Sequence, residues 1–300
     1  MLPRRIGIEL TTICQLSCAH CNLVSYRKQS DWKAGHIDPA LVSHIGKIIA
    51  GLAVKINLAG GFGEALSNPM LPYYVKDFSN SGHRCILYSS PQALFTYAER
   101  LTHCIENGLY RIYISIDEHH ANQNVPKKSQ NPDYLKNVQE ALKKAQSRTG
   151  LDVVGSVVIS DHDSESVSQA VKDVIAALRP KKISLRWQMP IGSYSRLAIA
   201  HMAAIKVIRS IDPCIDISAI QRPAPIGECA QSKKAIYFNV DGQIRICCAD
   251  RDFVIKSNVR DYSSMAQLIR SRQYHEGLAA VVAATKSGDC HGCPNLVEYR

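Results

Sequence analysis

Short β-branched or aromatic runs alternate with helix-period segments along the first two-thirds of this chain, and that alternation limits the fold more than any other feature. The runs are Arg5–Leu10, Val54–Ala59, Arg84–Ser89, Leu109–Ile116, Asp152–Ile159 and Lys182–Trp187. Between the first two, Leu41, Ile45, Ile48 and Leu52 repeat on one helical face, introduced by Asp38 as N-cap and Pro39 in the first turn. Ala93 to Asn107 reads as a second helix closed by Gly108. Leu135, Val138 and Leu142 mark a third, and Val167, Val171, Val174 and Leu178 a fourth. Strands separated by helices pair in parallel through right-handed crossovers. Six units in about 190 residues are too few for a closed eightfold barrel. The spacing predicts an α/β fold built on an open or partial (β/α)6 barrel of parallel strands.

The rhythm changes after Pro190. A helix is predicted over Tyr194–Ile211, and Gln221–Pro225 reads as a proline-bearing linker. Ala235–Val240, the pair Asp241-Gly242 and Gln243–Cys248 then form a hairpin, Asp-Gly between alternating runs being a strong turn signal. A last helix is predicted over Ser264–Thr285. The expected partition is a barrel over 1–212 and a small C-terminal hairpin-plus-helix domain over 213–300.

No apolar stretch approaches the ~20 residues that cross a bilayer, and no apolar segment of a secretory signal follows Met1. A cytoplasmic location and no membrane partner are expected. The formal charge of +10 comes from scattered pairs such as Arg4-Arg5, Lys127-Lys128, Lys143-Lys144, Lys181-Lys182 and Lys233-Lys234. No block of five or six basic residues and no aromatic-interleaved basic motif appears, so solvated helix faces account for the excess and no nucleic-acid partner is expected.

The cysteines are more informative. There are eleven, an odd count that argues against a disulfide framework in a chain without an export signal. Cys14, Cys18 and Cys21 form one tight group; Cys229, Cys247, Cys248, Cys290 and Cys293 crowd the last quarter. Cys85 and Cys104 lie inside apolar periodic segments and read as buried, inert thiols. Two groups at opposite ends suggest two metal sites. The first lies in the loop leaving the first strand, at the sheet edge where α/β folds place their sites. Three thiolates can wrap one face of a four-iron cubane and leave one iron open to another ligand. A zinc site calls for four protein ligands, which this triplet matches poorly.

Cys14-Gln15-Leu16-Ser17-Cys18-Ala19-His20-Cys21 after a first strand, on six strand–helix units, resembles the radical S-adenosylmethionine (SAM) superfamily. His20 supplies the ring which that family places near the adenine, and Gly60-Gly61-Phe62-Gly63-Glu64 resembles its Gly-Gly-Glu segment, with Ala65 standing where a proline is usual. The resemblance implies a [4Fe–4S] cluster on Cys14, Cys18 and Cys21, with SAM bound to the open iron and its amino group met by Gly60, Gly61 and Glu64. One electron then cleaves SAM to methionine and a 5′-deoxyadenosyl radical, which takes a hydrogen atom from substrate. It also implies cofactor contacts from the ends of the third to sixth strands: Ser89 or Ser90, Ser115 or Asp117, Ser156, and Arg186 or Gln188. His119 and His120 stand just beyond the fourth strand, where they serve substrate contact or proton transfer, or are simply a surface pair. A flavodoxin- or ferredoxin-type electron donor is implied as well.

Cys229, Cys247, Cys290 and Cys293 supply four thiolates, which suit either a fully ligated iron–sulfur cluster or a structural zinc. Spacing leaves both open. The arrangement is similar to the twitch domain, the shortened form of the SPASM extension, and that likeness implies an auxiliary [4Fe–4S] cluster. Members of this group act on peptides or small molecules, as oxidoreductases of natural-product biosynthesis among other roles. A peptide substrate here would be recognised by the barrel or by a separate peptide-recognition protein. Cys214 and Cys248 raise an epimerase alternative, in which a thiol returns a hydrogen atom to a carbon-centred radical; the plainer reading is a pair of non-ligating thiols. A non-enzymatic iron–sulfur or zinc-binding protein is the alternative from a different class.

Overall fold

Asp38 and Pro39 begin the first helix for local reasons. The Asp38 carboxylate accepts a hydrogen bond from Ala40 N at 2.9 Å, and Pro39 sits where no intrahelical N–H is needed. Helix α1 (Pro39–Ile49) buries Leu41, Val42, Ile45, Ile48 and Ile49. These side chains join Ile6, Ile8 and Ile56 in one core, so the helix lies against strands β1 (Arg5–Ile8) and β2 (Lys55–Asn57), which pair in parallel. The computed structural model describes residues 2–16, 21, 23, 27, 28, 33–58, 63–115, 140, 143, 151–159, 168, 171, 172, 175, 176, 179–187, 194–218, 234–246 and 254–287.

Strands β3 (Arg84–Ser89), β4 (Arg111–Ser115), β5 (Asp152–Ile159) and β6 (Lys182–Trp187) follow β2 in chain order, each parallel to the last. Four further strands are β7 (Asp216–Ser218), β8 (Ala235–Phe238), β9 (Gln243–Arg245) and β10 (Val254–Asn258). Among the described residues the sheet order is β10-β9-β8-β1-β2-β3-β4-β5-β6-β7. The sheet is therefore mostly parallel and consistent with the expected partial barrel. The hairpin β8–β9 exists, and β8 pairs in parallel with β1, Gly7 facing Tyr237. Strand β10 extends it antiparallel. Strand β7 lies at the other edge, beside β6. Neither β7 nor β10 was expected from the sequence, because strands of three to five residues at a sheet edge carry little periodic signal.

Helix α2 (Leu71–Asn80) connects β2 to β3 and was also missed, although its buried Leu71, Tyr74, Val75 and Phe78 have helical spacing. The helix expected over Ala93–Asn107 is two, α3 (Pro91–Thr96) and α4 (Ala98–Glu106), broken at Tyr97. Helix α5 (Tyr194–Ile211) matches the expectation. The helix expected over Ser264–Thr285 is also divided, into α6 (Met265–Arg270) and α7 (Arg272–Ser287). Ser271 leaves the helical region with ψ 149°, and its hydroxyl accepts from Tyr274 N at 3.2 Å, capping the second helix. Of the third and fourth expected helices, Glu140, Lys143, Val171 and Ile175 are helical; Leu135, Val138, Leu142, Val167, Val174 and Leu178 lie outside the described residues, as does Gln221–Pro225. No helix among the described residues is long and apolar enough to cross a membrane.

The helices cover one face of the sheet. Val157, Ile183 and Leu185 pack there against Val171, Ile175, Ala204 and Ile208. Residues of the other parity turn to the opposite face, where Tyr88 and Tyr113 stack with ring centres 4.6 Å apart. The join between β1 and β8 depends on a missing side chain: a Cβ at Gly7 would stand 2.2 Å from Cδ1 of the buried Tyr237. Gly7→Ala is expected to destabilise the fold by about 1–3 kcal/mol, the usual cost of overpacking, with partial recovery in the double variant with Tyr237→Ala. Denaturant unfolding measures both, and an unchanged midpoint in Gly7→Ala contradicts this account of the junction.

Candidate functional site

Strand β1 ends in a segment whose polar groups are stitched to a later stretch of chain. Thr12 N donates to Gly35 O at 2.9 Å and Ile37 N to Leu10 O at 3.0 Å. The buried Thr11 hydroxyl donates to Gly35 O at 3.0 Å, accepts from Ile13 N at 3.0 Å and lies 2.9 Å from His36 Nδ1. Thr12 Oγ1 accepts from Gly35 N at 2.9 Å. The stitch satisfies buried backbone groups that the strand no longer pairs. It also closes the neck of the loop that carries the cysteine triplet.

Two members of the triplet, Cys14 and Cys21, are described, and both are half-buried free thiols. Burial pushes the Cys14 thiol up, and the charges of Glu64 and Cys21 add to that; the Leu16 N–H, 3.4 Å from its sulfur, and the Arg27 guanidinium oppose it. Burial likewise pushes up the Cys21 thiol, against the Leu23 backbone and Arg27. Glu64, Cys21 and Arg27 thus all lie within electrostatic reach of Cys14. Cys18 and His20 lie outside the described residues. Among the described residues no three His, Cys, Asp or Glu side chains converge as a metal site, since the triplet is represented there by two members.

The segment after β2 clamps onto the same exit. Glu64 N donates to Ile13 O at 2.8 Å, and Asn68 Nδ2 donates to Leu10 O at 2.8 Å. Gly63 adopts φ +94°, and a Cβ there would stand 2.2 Å from Thr11 O. This glycine, rather than Gly60 or Gly61, which lie outside the described residues, is the one whose need for a bare backbone is visible.

The Glu64 carboxylate, 5% exposed, is fully engaged. Oε1 accepts from Ser89 Oγ at 2.9 Å and Leu66 N at 3.2 Å; Oε2 accepts from Ser90 N at 3.2 Å and lies 3.4 Å from Ser90 Oγ. Burial outweighs these bonds, and the carboxyl is pushed up to about 7. The structure therefore joins two residues singled out as cofactor contacts, Glu64 and Ser89, to each other.

Farther round the sheet, Ser115 ends β4 with Ser156 as its partner on β5, and Ser156 pairs with Ser184 on β6. Ser156 is fully buried and its hydroxyl has no hydrogen-bond partner among the described residues. Arg186 stands near the end of β6, opposite Val158. Cys214 is exposed and precedes β7, so the parallel strand direction puts it at the edge opposite the Cys14 loop. Asp117, His119, Cys229, Cys247, Cys248, Cys290 and Cys293 lie outside the described residues. Cys85 and Cys104 are buried with thiols pushed up to about 12, in keeping with inert core cysteines. Sequence reasoning missed Thr11, Thr12 and Arg27, and took Gly63 only as part of the glycine-rich segment that ends in Glu64. Their partners lie across the fold, and no spacing signals them.

No protein-family model matches the chain, and no curated protein sequence does. Its fold is similar to that of BtrN, crystallised in complex with AdoMet and 2-DOIA, with a TM-score of 0.55 at 15% identity over 98% of this chain and 91% of that one. It is also similar to Streptococcus suis SuiB bound to S-adenosylmethionine, with a TM-score of 0.63 at 11% identity over 92% and 67% of the two chains. Methylornithine synthase (PylB) gives 0.53 at 15% identity over 94% and 86%. At such identities the likeness is one of fold.

The raised Glu64 has a signed consequence for stability. Its ordinary value is 4.5 and its folded value about 7, so the native state binds this proton more tightly than the unfolded chain. The associated stability is present below pH 4.5 and is lost as pH rises through about 7. Thermal unfolding of the metal-free protein is expected to show that decline, and Glu64→Gln to flatten it. Identical profiles for the two proteins in this window rule out a buried, proton-binding Glu64.

Proposed function

We propose that this chain is a SAM-dependent radical enzyme, with a [4Fe–4S] centre held by Cys14, Cys18 and Cys21. The observation that carries the reading is the placement of Cys14 and Cys21 in one closed loop at the exit of β1, beside Gly63 and Glu64. Support also comes from the likeness in fold to two proteins crystallised with SAM. The described donors fit such a centre: Cys14 and Cys21 are half-buried thiols, and the nearby Glu64 carboxylate is taken up by Ser89 and Ser90. Reduced and loaded with SAM, a centre of this kind supplies one electron that cleaves SAM to methionine and a 5′-deoxyadenosyl radical able to take a substrate hydrogen atom.

The chain's own residues prepare that site. Thr11 and Thr12 hold the loop's neck shut against Gly35. Gly63 lets the β2 segment approach the Thr11 carbonyl. Glu64, bonded to Ser89 and Ser90, ties that segment to the end of β3. The raised thiols must lose protons to bind metal, so loading is favoured by alkaline pH. Ser115, Ser156 and Arg186 are assigned to cofactor or substrate contact from the strand ends, and His119 to substrate contact.

The proposal extends to a second [4Fe–4S] cluster on Cys229, Cys247, Cys290 and Cys293 in a C-terminal unit over 213–300. It includes a peptide or small metabolite as substrate for oxidation, crosslinking or rearrangement, and a flavodoxin- or ferredoxin-type electron donor. Anaerobic reconstitution with iron and sulfide is expected to give about four irons per cluster, about eight in all, and dithionite to drive formation of 5′-deoxyadenosine from SAM. Cys14→Ala is expected to abolish that product. Undiminished cleavage in this variant, or stoichiometric zinc in place of iron, overturns the assignment.

A further inference from the structure

Arg27 reaches back to the start of the first cysteine loop. Its guanidinium donates to Leu16 O at 3.2 Å and to Cys14 O, and its own N–H bonds Leu23 O at 2.9 Å. Leu23 is itself buried, 2% exposed. The two carbonyls held by Arg27 bracket the turn in which Leu16 N points at the Cys14 sulfur at 3.4 Å. A single planar fork thus holds both carbonyls of the Cys14–Leu16 turn and, with them, the amide that faces a sulfur. These two hydrogen bonds hold its positive charge against the backbone of the Cys14–Leu16 turn.

We infer that Arg27 positions the N-terminal cysteine loop and sets the reduction potential of the iron–sulfur centre the loop holds. The inference rests on the cluster assignment proposed above for Cys14, Cys18 and Cys21. Iron–sulfur potentials follow net charge, hydrogen bonds to the sulfurs and solvent exposure. Adding one electron makes a cluster more negative, and a fixed cation on the carbonyl of a ligating cysteine favours that state. The Leu16 N–H on the Cys14 sulfur acts in the same direction, since it stabilises added electron density. Removing Arg27 takes away the charge and releases the turn that aims the amide. Nothing in the Cys-x3-Cys-x2-Cys spacing points to a residue six positions beyond Cys21.

The test uses the full-length reconstituted protein, titrated with dithionite at controlled potential. It follows the electron-paramagnetic signal that shifts on adding SAM, which identifies the N-terminal centre. Arg27→Gln is expected to lower the equilibrium constant for one-electron reduction about tenfold, a fall of ~59 mV. Arg27→Lys keeps the charge and is expected to stay within about threefold of the parent. A merely structural role predicts cluster loss in both variants with no shift in the centres that remain. A parental potential in Arg27→Gln overturns the inference, as does a fall in Arg27→Lys equal to that in Arg27→Gln. Circular dichroism checks folding; if Arg27→Gln does not fold, Arg27→Met is titrated in its place, with the same fall expected and a parental potential overturning the inference. A parent protein with no SAM-responsive signal overturns the cluster assignment itself, and the role of Arg27 falls with it; a parent signal with an unmoved Arg27→Gln potential overturns the role of Arg27 alone.

Discussion

The carbonyl groups of Leu10 and Ile13 are the points on which the upper edge of this sheet is assembled. Beyond Ile8 the chain leaves its ladder, and its buried backbone groups must find other partners or cost the fold dearly. Leu10 O receives Ile37 N and the Asn68 amide; Ile13 O receives Glu64 N. One end of the cysteine loop and the segment after β2 are thereby fastened to the same four residues. The bare backbone of Gly63 is part of that arrangement, since a side chain there would occupy the space of the Thr11 carbonyl. The site is the place where three stretches of chain share one set of hydrogen-bonding groups.

Electrostatics follow from the same packing. Glu64 enters a low-dielectric position because its backbone is needed at Ile13 and its carboxylate is needed by Ser89 and Ser90. Desolvation then dominates four hydrogen bonds, and the group binds its proton near neutrality. The thiols of Cys14 and Cys21 are raised for the same reason. Arg27 is the cation that works against this trend, and it is held by main-chain carbonyls instead of by a carboxylate. Among the described residues no carboxylate pairs with it, so its charge is left to act on the loop it holds.

Strand β1 is central in a second sense. It carries β2 on one side and β8 on the other, so the C-terminal hairpin continues the barrel sheet. Glu9 and Arg245, both buried, lie on the face where Tyr237 covers Gly7. Val240 N donates to the Glu9 carboxylate at 3.3 Å, tying the hairpin turn to the residue that begins the exit segment. The hairpin and the cysteine loop consequently depend on consecutive parts of one strand.

Much of the framework was legible in the sequence because its causes are local. β-Branched or aromatic runs mark β3, β5 and β6 to the residue, a proline after an aspartate marks the start of α1, and α5 has its expected bounds. The cysteine spacing and the glycine-rich segment ending in Glu64 were likewise visible as candidates. Other features were decided only when the chain closed on itself. Ser271 interrupts a periodic helix because its hydroxyl caps the next one. Gly63 takes φ +94° where a Cβ would meet the Thr11 carbonyl, 52 residues back along the chain. Glu64 finds its partners 25 and 26 residues away, and Arg27 finds carbonyls 11 and 13 residues back. Periodicity and capping act within a few residues and so are written in order along the chain. A buried hydrogen bond between distant segments exists only where the sheet sets them side by side, and no local pattern encodes that meeting.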